Sequence, residues 1–340
     1  MCRRSAPSPS AGCSGPPGDP GRPVSRRVIL DTDLAMGAPG SDIDDGFALA
    51  LALADPDLSV ELVTTVNGNT DVDSATRLTR ELLRRVGRED VPIVRGAARP
   101  LVRAPSSPLS ARQLGSPSVP GRSDCAAVAL VERVMAEPGE LTLVAIGPLT
   151  NVAIALAIEP HLAQAVREIV VMGGVYLGHT GFAGMPGEFN FWTDPDAAAM
   201  VLASGASLRL VGLDVTRRVR LNRNDVPRLR ATDKHFGGFA ADCTQEWIDH
   251  LERTTPGDDW DRDSCALHDP LAVAVVARPE LVTWRPAFVT VERGSDVTRG
   301  VAVTDLLGSN APPAANASVA VSVDAEAFRD HFLAQIATLP

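Results

Sequence analysis

Paired cysteine motifs are missing from this 340-residue chain. Cys2, Cys13, Cys125, Cys243 and Cys265 form no CxxC unit and no metal-ligand spacing, which excludes a disulfide framework and a cysteine-ligated zinc site and makes a reducing cytoplasm the expected compartment. No apolar run reaches the length of a membrane span, and the first residues lack the apolar core of a signal peptide, so a soluble, unexported protein without a membrane partner is expected. An excess of positive charge is also absent. Thirty-two basic against 42 acidic residues leave a formal charge of −10, so no broad nucleic-acid surface is expected, and small neutral or cationic ligands fit better. Aromatics make up only 4% of a chain that is 45% hydrophobic; a core rich in Ala and Val, as in an α/β protein, follows. One large domain is expected at this length, with two as the alternative.

What the chain does have is carboxylate, massed at one point. In VILDTDLAMGAPGSDIDDGFALALAL, residues 28–53, the apolar run Val28, Ile29 and Leu30 predicts a buried strand, and Asp31 and Asp33 begin where it stops. A loop with Gly37, Pro39 and Gly40 leads to Asp42, Asp44 and Asp45, followed by an alanine- and leucine-rich run of helical propensity. Five aspartates thus meet at one strand-to-helix junction. Unpaired carboxylates a few ångströms apart repel and raise one another's pKa, and a hard divalent cation, Ca²⁺ or Mg²⁺, relieves that repulsion. Capping of the helix start is the competing reading for Asp42, Asp44 and Asp45. It leaves Asp31 and Asp33 unexplained.

The rest of the chain alternates short β-like runs with helical ones, the pattern of an open, mostly parallel sheet flanked by helices. Residues 1–26, crowded with Pro, Ser, Gly and Arg, read as a disordered tail ahead of a single domain over 27–340. Strands are predicted at 60–66, 91–94, 141–146, 167–174 and 208–216. Polar or glycine-rich turns follow several of them, at Asn67-Gly68-Asn69, at 147–151 and at Gly173-Gly174, where side chains would obstruct a ligand. Residues 96–122 show no periodicity and read as a mobile lid. Glu188 and Asn190 bracket Phe189 with the same-side spacing of an extended segment; they suit sugar hydroxyls, or are solvated loop residues. Asp194-Pro195 reads as a helix start with Asp194 as N-cap. His268-Asp269 stands immediately before a buried helix, where a histidine is either structural or catalytic. Beyond it, β-like runs at 288–292 and 319–323 precede a helix around Ala325–Ile336. In open α/β sheets ligands bind beyond the carboxyl ends of the strands, which would gather Asp33, Asn69, the turn after Ile146, the glycines after Met172, and Asp214.

In their order and separation, DTD…DIDD at 31–45, VNGN at 66–69, AIGPLTN at 145–151, VVMGG at 170–174, EFN at 188–190, GLDVT at 212–216 and HDP at 268–270 resemble the inosine-uridine-preferring nucleoside hydrolase family, from about Arg27 to the C-terminus. The resemblance implies an open α/β nucleoside hydrolase-like fold, a homodimer or homotetramer, and calcium-dependent hydrolysis of the N-glycosidic bond of ribonucleosides. Carried over position by position, it implies that Asp33, Asp45 and Asp269 ligate calcium through carboxylates and Ile146 through its backbone carbonyl. Asp33 would accept the proton of the calcium-bound water. Asp44, Asn69, Asn190 and Asp269 would hold the ribose 2′ and 3′ hydroxyls, Glu188 the 5′ hydroxyl, and His268 would assist the departing base. The transition state implied is an oxocarbenium-like ribosyl cation.

Three departures from the family pattern stand out. The ten residues Leu34 to Ile43 separate Asp33 from the aspartate pair where the family has a much shorter link, which lets Asp42 share or alter the metal shell. The loop at 96–122 lacks the family's histidine near the base and carries Arg103, Arg112 and Gln113 instead. The asparagine expected near the 5′ end has no clean counterpart; His179, Thr180 and Phe182 are the nearby candidates. Trp192 either stacks on a base or fills the core. Two alternatives accompany the main reading: the same chemistry on a modified or natural-product nucleoside, and a nucleoside- or ribose-binding protein without turnover.

Overall fold

The apolar runs become strands, and most of them lie parallel. The computed structural model describes residues 25–103, 125–231, 235–258, 261–306, 308, 311 and 313–340. In chain order the elements are β1 (Arg26–Thr32), α1 (Asp44–Ala54), β2 (Leu58–Thr65), α2 (Val72–Arg85), β3 (Ile93–Arg95), α3 (Ala126–Ala136), β4 (Leu141–Ala145), α4 (Thr150–Ile158), α5 (Leu162–Ala165), β5 (Glu168–Met172), α6 (Phe189–Thr193), α7 (Pro195–Leu202), β6 (Leu208–Val211) and α8 (Leu213–Thr216). There follow β7 (Arg220–Asn222), α9 (Val226–Arg230), α10 (His235–Thr254), β8 (Ser264–Ala266), α11 (His268–Ala277), β9 (Val282–Ala287), β10 (Val289–Val291), β11 (Ala302–Thr304), β12 (Ala317–Val323) and α12 (Ala325–Ile336).

The main sheet has the order β3-β2-β1-β4-β5-β6-β12-β9, parallel throughout except for β9, which runs against β12. The chain lays down β1, β2 and β3 in one direction, then returns to place β4 on the other flank of β1. That reversal opens the crevice where open α/β sheets bind ligands, and the carboxyl ends of β1 and β4 form its walls. Both faces of the sheet are covered. In β1, Val28 and Leu30 point into a core shared with α1, α10, α11 and α12, whereas Ile29 points into a second core shared with α3, α4 and α7.

Helix α1 is buried along nearly its whole length, from Asp44 to Ala52, and packs against α11, which is equally apolar. Phe47 of α1 meets the edges of Phe236 and Phe332 at centroid distances of 6.2 and 5.4 Å; burying such a ring contributes about 3 kcal/mol. The two aspartates at its start are therefore held on a rigid, fully packed element rather than a loop.

Several sequence expectations change in detail. The run at 208–216 is strand only to Val211, because Gly212 breaks it and Leu213–Thr216 turns into a short helix. The extended reading of 188–190 is replaced by a helix start, with Glu188 as the N-cap of α6 and its carboxylate accepting from the Asn190 and Phe191 amides. His268 and Asp269 lie inside α11 rather than before it. β1 begins at Arg26, and the expected disordered tail lies, over residues 1–24, outside the described residues. The expected lid likewise falls outside them over 104–122, as do Arg112 and Gln113. The described start of that loop is anchored: the Leu101 amide donates to Asp194 at 2.8 Å, and Arg103 pairs with Asp296 at 2.7 Å. No described helix is long and apolar enough to cross a membrane.

Candidate active site

The end of β1 delivers three consecutive polar side chains into the interior, Asp31, Thr32 and Asp33, none more than 1% exposed. Asp31 lies beneath the crevice. Its Oδ1 accepts from Thr64 and from Asn151 Nδ2 at 2.7 Å, and burial, opposed by these two bonds, pushes its pKa up to about 7. Thr32 donates its hydroxyl to Asp45 Oδ1. Asp33 is turned toward the end of β2, where its Oδ2 accepts the Asn69 amide at 2.6 Å.

That contact explains the glycine of VNGN. A Cβ on Gly68 would lie 1.8 Å from Asp33 Oδ2, so any side chain there must push the carboxylate aside. Gly68→Ala is expected to lower kcat/KM by about 10²-fold, the usual effect of misplacing a reacting group by an ångström. Steady-state kinetics on well-folded variant protein checks it; unchanged activity would mean that Asp33 needs no fixed position.

The start of α1 supplies the next two carboxylates. Ile43 occupies the N-cap and makes no side-chain cap bond; Asp42, one residue earlier, takes over that role, its Oδ1 accepting from the Ile43 amide at 2.7 Å and the Asp44 amide at 3.4 Å. Asp44 Oδ2 accepts the Asp269 amide at 3.3 Å, which ties α1 to the first turn of α11. Asp45 Oδ2 accepts from Asn69 Nδ2 at 2.9 Å. Carboxylate oxygens of Asp44, Asp45 and Asp269 lie within 4.8 Å of one another, close enough to hold one metal ion. Asp33 sits outside that trio but against it, close enough to Asp45 for their carboxylates to share a proton.

Burial first, and mutual repulsion second, drive the pKa values of Asp33, Asp44 and Asp269 well above the ordinary carboxylate range. Asp45 is raised by burial to about 6, held there by its bonds from Thr32 and Asn69. Among the described residues no Lys or Arg forms an ion pair with any of these four. A buried, all-oxygen, uncompensated set of this kind has the donor chemistry of a hard divalent cation site.

The ends of β4 and β5 close the crevice from the other side. The Ile146 carbonyl accepts from Asn190 Nδ2 at 2.7 Å, and the same nitrogen reaches the Met172 carbonyl at 3.1 Å. Glu188 accepts from the amides of Gly174, Asn190 and Phe191 at 3.0, 2.9 and 3.2 Å; burial nevertheless pushes it up to about 7. The glycines after Met172 make room for protein rather than ligand. A Cβ at 173 would lie 2.5 Å from the Phe191 ring, and Gly174 has φ +79°. Asp214 is also used internally, accepting the amides of Tyr176 and Leu177 at 2.7 and 3.0 Å.

A cavity of about 290 Å³ opens above these groups. Asp44, Asn69, Ile146, Glu188, Asn190 and Asp269 all line it, so nearly all the residues singled out in the sequence converge there. Asp33 and Asp45 stand just beneath, and Asp42 lines the wall. The same cavity is also lined by residues that no motif announced: Arg217, Arg220, Leu251, Thr255, Asp258 and Asp261, with Phe182 from the loop before α6. His268 also lines the cavity. Its Nδ1 lies 2.7 Å from the Thr216 hydroxyl, and burial, reinforced by the charges of Arg217 and Arg220, lowers its pKa to about 3, so the imidazole is neutral. His179 is exposed, and Thr180 is buried with its hydroxyl donating to the Met185 carbonyl. Trp192, 2% exposed beside Phe189, is core.

The inosine-uridine preferring nucleoside hydrolase family model matches residues 28–330. The chain is 35% identical over 315 residues to the pyrimidine-specific ribonucleoside hydrolase RihA of Citrobacter koseri, covering 89% of this chain and 95% of that one. It is 36% identical over 332 residues to the non-specific ribonucleoside hydrolase RihC of Salmonella typhi, covering 93% and 99%. Among solved structures, the purine-preferring ribonucleoside hydrolase from Gardnerella vaginalis superposes with a TM-score of 0.79 at 30% identity, covering 92% of this chain and 98% of that one. With the fold, the carboxylate cluster and the relatives in agreement, the chain belongs to the inosine-uridine preferring nucleoside hydrolase family and is a hydrolase acting on N-glycosyl compounds.

Proposed function

We propose that this protein hydrolyses the N-glycosidic bond of ribonucleosides with calcium held by Asp33, Asp45, Asp269 and the Ile146 carbonyl. The observation that carries the reading is the cluster of Asp44, Asp45 and Asp269, with Asp33 against it, at a nucleoside-sized cavity that Asp44, Asp269, Asn69, Asn190 and Glu188 line. Asp44 stands in the same trio as Asp45 and Asp269. A bound divalent cation would lower the pKa of a water molecule in its shell. Asp33 is the base that takes the proton, being fixed by the Asn69 amide and seated against the cluster. Asp44, Asn69, Asn190 and Asp269 hold the 2′ and 3′ hydroxyls, and Glu188 the 5′ hydroxyl. As the C1′–N bond stretches, positive charge grows on the ribose ring, and the surrounding carboxylates stabilise it. Release of free base and reducing ribose from a panel of purine, pyrimidine and modified ribonucleosides tests the reading. Turnover of the modified members alone would favour the specialised substrate that the Leu34–Ile43 insertion and the charged residues of the cavity lining leave room for.

Metal binding should be coupled to pH. In the metal-free protein the folded pKa values of the cluster are raised, so its carboxyls are protonated at low pH and repel once ionised. Their favourable contribution is full below about pH 4 and is lost as pH rises, through about 6 for Asp45. The metal-free protein is therefore expected to lose thermal stability between pH 5 and 8. Calcium at a fixed concentration, about 100 times its Kd at pH 8, should add about 5 °C at pH 8 and less at pH 5. Thermal scans at the two pH values check this; an equal calcium shift at both would contradict it.

A further inference from the structure

The cavity lining carries two arginines, Arg217 and Arg220, and they are not equivalent. Arg220 is committed: its Nη2 donates to Asp261 at 2.6 Å and to the Ser264 carbonyl at 3.2 Å, and its Nε to the Ser264 hydroxyl at 3.0 Å. Among the described residues the Arg217 side chain makes one hydrogen bond, from Nη2 to the Thr180 carbonyl at 2.9 Å, and has no ion-pair partner. It is half-buried and lines the cavity, one residue past Thr216, whose hydroxyl holds His268. A charge that faces a ligand cavity, keeps most of its fork free and has no carboxylate within ion-pair distance among the described residues is suited to a ligand group that is or becomes negative. The buried carboxylates and amides of the cluster suit the ribose hydroxyls, so a group that becomes negative belongs to the base of a nucleoside.

We propose that Arg217 receives the departing base, its guanidinium donating to the acceptor edge of the ring and balancing the charge that develops there. The inference rests on the ribonucleoside hydrolase reading. When the C1′–N bond breaks, its electron pair passes to the base nitrogen. The attacking water adds its oxygen to C1′ and gives up one proton, and the base anion takes up one proton, so ribose and neutral base are the products. Hydrogen bonds from a permanent cation lower the barrier by stabilising the base before it is protonated. A pyrimidine carbonyl and a purine carbonyl or ring nitrogen all offer the fork an acceptor.

The test compares a poor leaving group with a good one. Wild type, Arg217→Ala and Arg217→Lys are assayed on inosine, on uridine and on 4-nitrophenyl β-D-ribofuranoside, whose leaving group needs no such help. For the nucleoside that wild type cleaves faster, Arg217→Ala is expected to lower kcat about 10²-fold, as when one preorganised donor is removed. Arg217→Lys, which keeps the charge and loses the fork, should fall between. Turnover of the nitrophenyl riboside should stay within about threefold of wild type, which also shows that the ribose end is intact although Arg217 holds Thr180. Added guanidinium should restore part of the lost nucleoside activity of Arg217→Ala. Equal losses on both substrate types, or no loss on the nucleoside, would overturn the proposal while leaving the hydrolase reading in place. Wild-type protein inactive on all three would overturn both.

Discussion

Asp33→Ala is expected to lower kcat/KM for the preferred ribonucleoside by about 10⁴-fold, the upper range for loss of a positioned general base. Two functions would disappear together. Asp33 is the carboxylate at the end of β1 that faces the metal trio, and in the proposed chemistry it both touches the ion and accepts the proton of the attacking water. Its surroundings make substitution informative, because the Asn69 amide and Gly68 fix the carboxylate from one side and Asp45 from the other. Asp33→Asn keeps the volume and one acceptor oxygen but cannot take a proton, so it should lose nearly as much activity while retaining more metal affinity. Kinetics alongside calcium titration separates the two roles. A variant that binds calcium as wild type does and turns over within about tenfold of it would remove Asp33 from the chemistry.

Removal of a substrate hydroxyl should have a comparable effect. Replacing a ribonucleoside by its 2′-deoxy counterpart is expected to lower kcat/KM by about 10⁴-fold, the range found where a site is built to hydrogen-bond a hydroxyl that the analogue lacks. The physical reason is the burial of the groups involved. Asp44, Asn190 and Asp269 are each no more than 4% exposed, and a buried acceptor left without its donor bears the full desolvation penalty. The loss should appear in kcat more than in KM if these bonds tighten as charge develops on the ring. Parallel assays of uridine with 2′-deoxyuridine and of inosine with 2′-deoxyinosine decide it; similar rates would mean that the acidic end of the cavity does not hold the ribose diol.

Much of this site is legible in the sequence because it is local. Each strand-end motif places its polar residues within a few positions of the apolar run that becomes the strand, so the chain order alone puts Asp33, Asn69 and Ile146 at one edge of the sheet. Helix α12 over Ala325–Ile336 is equally plain. Where the fold departs from the sequence pattern, the causes are physical. Five residues, Phe189–Thr193, are too few to show a helical period, so EFN resembles an extended segment. In GLDVT, Val and Thr carry β-propensity, yet Gly212 ends the strand. Strand β9, VTWRPA, is mostly exposed outside its two ends and contains a proline, as an edge strand tolerates but a pattern search does not expect. The rest of the cavity lining is invisible in the sequence for another reason. It is assembled from the end of α10, the segment after it and the residues around β7 and β8, which contact one another only through the fold. Arg217 directly follows a motif, but adjacency alone does not say which of its neighbouring arginines faces the cavity.

The most direct test of the central claim is base release measured on protein whose metal content is known. Calcium is quantified in the purified chain, removed by chelation and restored, and free base and reducing ribose are followed at each stage. The expected result is stoichiometric calcium, loss of cleavage when it is removed, and recovery when it is returned. Undiminished cleavage by protein shown to be free of metal would contradict the account.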